Sequence, residues 1–124
     1  MIRDNNIVLG AIAAMLAVAF GAFGAHALEE ILVENGRLET WDTAVSFQFY
    51  HSLGIIVSAL LIHHFSNRNI QRAIYCFILG IVFFSGSLYV LCLTNIGFLG
   101  AITPIGGVLF ILGWVFLAVG AVKR

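Results

Sequence analysis

Along this chain the apolar positions gather into four long runs, separated by short charged or polar stretches. The runs extend from Ile7 to about Leu28, from Thr43 to Phe65, from Ile70 to Thr94 and from about Phe98 to Val122. A helix crossing ~30 Å of hydrocarbon needs about 20 mostly apolar residues, so each run is long enough to span. Lipid offers no partner to a free amide, which makes each span an α-helix rather than a strand. Charged side chains keep to the ends and connections of the runs, as expected when one at a helix centre costs roughly 2.5–3.5 kcal/mol. The predicted fold is an all-α integral membrane four-helix bundle, a single domain over residues 1–124.

The connections carry patterns of their own. Between the first two runs, Leu28, Ile31 and Leu32 stand at helical spacing before Asn35-Gly36, a helix-stopping pair, and predict a short interfacial helix. Trp41 follows just before the second run, where an indole is expected to anchor at the headgroup level. The stretch from Asn95 to Thr103 is uncharged, and Thr103-Pro104 reads as an N-cap followed by proline at the first helical position. Arg3, the first run and Ala25-His26-Ala27 together imitate a secretory signal. The run exceeds a signal's usual apolar core of about 7–15 residues, so a retained span is expected instead.

Composition sharpens this picture. Hydrophobic residues make up 61% of the chain and charged residues 10%, against about 25% charged in a soluble domain. Mean hydropathy is +1.06. Six Lys and Arg balance six Asp and Glu, leaving no basic surplus to neutralise a phosphate backbone, which argues against nucleic acid as a partner. With four spans, Arg3, Arg68, Arg72, Lys123 and Arg124 fall on one side and Arg37 alone on the other. That asymmetry puts both termini in the cytoplasm and the acidic segment from Glu29 to Asp42 outside.

Membrane helices associate through close backbone approach and hydrogen bonds. In the first run Ala13, Ala17, Gly21 and Ala25 recur every fourth position, and in the fourth Gly106, Gly113 and Gly120 recur every seventh. Both stripes are expected to be helix-packing seams within the bundle, with a seam between two copies of the chain as the alternative. Cys76 and Cys92 lie about 24 Å apart along one helix, too far to bridge, and read as small apolar fillers.

Polar side chains inside the runs gather toward the acidic-loop side: His26, Gln48, His51, Ser52, Ser85, Ser87, Tyr89 and Thr103. An imidazole facing hydrocarbon would leave a donor and an acceptor unpaired, so His26 and His51 are expected to approach Ser85 or Tyr89. His26, near the end of its helix, has the headgroup layer as an alternative. The stretches Gly21 to Leu28, Phe47 to Gly54, Phe83 to Leu91 and Thr103 to Trp114 supply one segment per helix. Together they resemble the signature of the YgdD-like family, small bacterial inner-membrane proteins of unknown function with animal relatives. The resemblance implies a four-helix protein of the inner membrane and brings no reaction, substrate or cofactor.

Several functions remain open at this level. The polar cluster reads first as interhelical hydrogen bonding in a structural or interaction module that associates with the bilayer and with itself. A ligand or lipid-headgroup site built from the same residues is the alternative, as is a small oligomeric proton-linked transporter using His26 and His51. Two imidazoles without a Cys or carboxylate at set spacing do not specify haem or metal, so no cofactor is expected. Ser52, Ser85 and Ser87 have no buried carboxylate to orient a histidine base, and enzymatic chemistry is not expected.

Overall fold

A computed structural model describes residues 4–65 and 67–122. The elements in chain order are α1 (Asn5–Ala19), a π-helical turn (Phe20–Gly24), α2 (Ala25–Ala27), α3 (Glu29–Glu34), α4 (Leu38–Phe65), α5 (Arg68–Gly80), a second π-helical segment (Ile81–Gly86), α6 (Ser87–Thr94), a 3-10 turn (Gly97–Ala101) and α7 (Thr103–Val122). No strand occurs among the described residues. Four helices are long and apolar enough to cross a membrane: Asn5–Gly24, Leu38–Phe65, Arg68–Thr94 and Gly97–Val122. They form the four spans of a helical bundle. Of the basic residues behind the charge asymmetry, Arg3, Lys123 and Arg124 lie outside the described residues, as does the side chain of Ala25.

The first and third spans start alike. The Asp4 carboxylate accepts from the amides of Asn6 and Ile7, and the Asn67 side chain accepts from those of Asn69 and Ile70. Each cap also reaches the far end of the next span, Asp4 Oδ2 to His63 Nε2 at 3.2 Å and Asn67 Nδ2 to the Gly120 carbonyl at 2.8 Å. Satisfying the first amides of a helix in this way fixes where it begins.

The short helix expected in the acidic loop is α3, and it stops as its sequence requires. Gly36 takes φ +67°, which lets the Arg37 amide turn back to the Leu32 carbonyl at 2.8 Å. The second span begins at Leu38, one turn earlier than the apolar run, and this overturns the reading of Trp41 as a headgroup anchor. Trp41 is 4% exposed and packs with Leu32 and Cys92, its indole donating to the Phe20 carbonyl at 3.1 Å. Thr103 is not an N-cap: its hydroxyl points back to the Leu99 carbonyl and across to Ser87.

Packing is uneven. The second, third and fourth spans share a core of Ile55, Ala59, Ala73, Ile74, Phe77 and Phe110. The first span lies along the second and meets the third through Phe20 and Tyr89, 5.2 Å between ring centroids. The glycine seam of the fourth span faces the third: a Cβ on Gly113 would lie 2.6 Å from the Phe77 ring, and one on Gly106 or Gly120 would strike Phe84 or Ile70. In the first span Gly10 abuts Ile55 and Ile56, Ala17 is buried, and Gly21 approaches Val45.

Candidate functional site

The polar side chains divide into two connected groups, a separate pair and one outlier. In the first group Gln48, on the face of α4 toward the first span, has its amide used at both ends. Nε2 donates to the Ala13 carbonyl at 2.8 Å, and Oε1 accepts from the Tyr89 hydroxyl at 2.5 Å. One side chain thereby joins three spans. The Gln48 backbone carbonyl in turn accepts from Ser52 at 2.6 Å. Ser85 donates to the Ala44 carbonyl at 2.7 Å, a second bond between the second and third spans. Trp41, Phe20 and Tyr89 close the acidic-loop end with edge and tilted ring contacts, Trp41 to Tyr89 at 4.9 Å.

His51 leads the second group. The Phe47 carbonyl, an acceptor only, lies 2.7 Å from Nδ1, and the Trp114 indole, a donor only, lies 3.1 Å from Nε2. These partners select the tautomer with its proton on Nδ1 and occupy both ring nitrogens. The ring stacks on Phe110 at 3.5 Å, and Phe77 lies tilted against both His51 and Trp114. Neither Ser85 nor Tyr89 is its hydrogen-bond partner, contrary to the expected convergence. No nitrogen is left to ligate a haem iron or a metal ion. Ser87 and Thr103 share a separate bond at 2.7 Å that joins the third and fourth spans.

His26 is the outlier. It lies in the middle of α2, is exposed, and borders surface grooves with Glu29, Glu30 and Glu34 on one side and Leu38 and Asp42 on the other. A π turn holds an extra residue, so the 3.6-residue phase that would carry a face from Gly21 to His26 is broken between them. The loops at this end are tied by Asn35 Nδ2 to the Cys92 carbonyl at 2.9 Å and Arg37 Nε to Asn95 Oδ1 at 3.1 Å.

At the opposite end, burial works against the charge on Asp4, but hydrogen bonds from His63, Ile7 and Asn6 and the attraction of His63 outweigh it. Its carboxyl is held below the usual value of 3.8. Ser58 is fully buried in α4, and its hydroxyl has no hydrogen-bond partner among the described residues. Trp114, Phe110 and Phe20 complete the site but were not singled out by sequence reasoning. An indole N–H inside a span must find an acceptor, and His51 on another span supplies it.

The family model described as "Protein of unknown function (DUF423)" matches residues 20–107, more than half of the chain. A UPF0382 membrane protein of Staphylococcus epidermidis is 50% identical, the match covering 94% of each chain. UPF0382 membrane protein SSP2132 of Staphylococcus saprophyticus is 50% identical over 94% of this chain and 96% of the relative. UPF0382 membrane protein YwdK of Bacillus subtilis is 49% identical over 94% of this chain and 95% of the relative. No solved structure matches. Four membrane-length apolar helices and relatives alike over nearly their whole length agree: this chain is a multi-pass integral membrane protein and belongs to the DUF423 family.

Proposed function

We propose that the protein is a structural or interaction module of the membrane, without enzymatic activity, that works by holding four helices in fixed register and associating with further copies of itself. The observation that carries this reading is the mutual satisfaction of the Gln48 and His51 side chains. Gln48 bonds the first and third spans at once, and His51 spends both ring nitrogens on Phe47 and Trp114. Each such interhelical bond contributes about 0.6–2 kcal/mol, enough in combination to select one register. A ligand site or proton path would need the same atoms free. The distribution of Lys and Arg supports termini in the cytoplasm and the acidic loop outside.

Mass spectrometry of lipids and metabolites carried by the protein in mild detergent tests the reading, with His51→Ala as control. The expected result is no stoichiometric species that depends on His51. A metabolite or lipid present at one per chain and lost in the variant would replace the structural reading with a binding one. Energy transfer between separately labelled copies in bilayers tests self-association, and its absence at every protein-to-lipid ratio would remove that part.

A further inference from the structure

The two halves of the chain are built on one plan. Asp4-Asn5-Asn6-Ile7 corresponds to Asn67-Arg68-Asn69-Ile70, with the same side-chain cap in both. Each half then runs through an α-helix, a π segment, a short helix, a helical turn in the connection, and a second long helix. Carrying the register of the caps forward matches Gly10 with Ala73, Ala17 with Gly80, Gly21 with Phe84 and Gly24 with Ser87. These are the positions each helix turns toward its own hairpin mate: Gly21 meets Val45 and Gly24 meets Trp41, as Phe84 meets Gly106 and Ser87 meets Thr103. Such agreement in cap, bulge and packing face marks a repeated helical hairpin.

The repeat leaves two surfaces unmatched. The third span packs its Ser85 face on the second span, but the corresponding face of the first span, centred on Val18 and Ala22, is open. The second span packs Phe47 and His51 into the cleft between the third and fourth, against Phe84, Phe77, Phe110 and Trp114. Pairing Val45 with Gly106 makes Val108 and Leu112 the counterparts of Phe47 and His51, and these are 56% and 41% exposed. A groove of about 370 Å³ lies between the first and second spans, lined by Val18, Ala22, Phe49 and Tyr50 among others. It is the counterpart of the cleft that Phe47 and His51 fill.

We infer that a second copy of this chain fills that groove, with Val108 and Leu112 of its fourth span seated between the first and second spans at Gly21 and Phe49, beside Val18 and Ala22. The seam between the two halves is thereby repeated between copies. Such a contact is head-to-tail: each copy offers a groove at one end and a ridge at the other. Small residues facing aliphatic ones suit a setting where close packing, not exclusion of water, drives association. The inference rests on the self-association proposed above and names its surface.

The test is cross-linking in native membranes with a short bifunctional maleimide, after replacing Cys76 and Cys92 with Ala. Chains carrying Ala22→Cys are co-expressed with chains carrying Val108→Cys, and Leu9→Cys with Val108→Cys serves as the control pair. The expected result is a cross-linked dimer several-fold more abundant with Ala22→Cys than with Leu9→Cys. Ala22→Leu, which fills the groove at a lipid-accessible position, should abolish cross-linking of Val18→Cys to Val108→Cys and leave the thermal midpoint unchanged. Energy transfer between copies without cross-linking at these pairs overturns the surface while sparing self-association, and lipid then fills the groove. Absence of both overturns the two together.

Discussion

The two hairpins answer the same problem by different chemistry. The first and second spans meet through side chains that donate to backbone carbonyls, Gln48 to Ala13 and Trp41 to Phe20. The third and fourth meet through phenylalanines fitted onto glycines: the rings of Phe77 on Gly113 and Phe110 on Gly80, and the backbone and Cβ of Phe84 on Gly106. Neither hairpin gains from hiding apolar surface, since lipid is as apolar as the side chains. Both hairpins pair close glycine contacts with hydrogen bonds, Gly10 and Gly24 included in the first and Ser87 to Thr103 in the second, but only the second sets phenylalanine rings against its glycines.

That contrast can be broken most forcefully at Gly113. A leucine there collides with the Phe77 ring beneath His51 and Trp114, and the third and fourth spans must separate or tilt. Stability by steric trapping in bilayers should fall by about 3 kcal/mol. A loss within error of zero would show that the ring-on-glycine seam does not hold the second hairpin.

Gln48→Leu removes both bonds of the amide at nearly constant volume and should cost about 1–2 kcal/mol. Tyr89→Phe should cost about half as much, because the bond to Ala13 survives. If the two losses simply add in the double variant, the three spans are not coupled through Gln48.

Trp114→Phe keeps a ring over Phe77 and deletes the donor to His51, for a loss of about 0.6 kcal/mol. In the wild type, the Nδ1 proton of His51 should give a low-field resonance in nitrogen-edited spectra. A proton on Nε2 instead would contradict the assigned tautomer.

The smallest effect is expected at Asp4. Its lowered carboxyl pKa means the contribution is complete above about pH 3.8 and is lost as pH falls through the lower folded value. Hydrogen exchange at the Asn6 and Ile7 amides should quicken in that acid window while the matching amides of Asn69 and Ile70, capped by uncharged Asn67, do not. Equal acid response at both caps would dispose of the carboxylate's role.

The elements legible in the sequence are those set by one-dimensional quantities. Apolar length marks the helices long enough to span, Asn35-Gly36 marks the stop of α3, and the sevenfold spacing of Gly106, Gly113 and Gly120 marks a seam now seen against the third span. What escaped was helical phase. Trp41 reads as a belt residue only if the second helix starts at Thr43; a start at Leu38 puts it one turn inside. His26 reads as a member of the cluster with Ser85 and Tyr89 only if the first helix keeps one period, and the π turn at Phe20–Gly24 breaks it. Trp114 and Phe110 were indistinguishable from lipid-facing residues until His51 was placed beside them. The repeated hairpin was hidden because only its caps share residue types, while its seams differ.

Those caps bear on how the chain is made. A ribosome delivers the two spans of one hairpin before the next begins, and each hairpin carries its own clasp: Asp4 to His63 in one, Asn67 to Gly120 in the other. Neither clasp borrows a residue from the other half, so the contacts that close each hairpin are encoded within the stretch of chain that forms it.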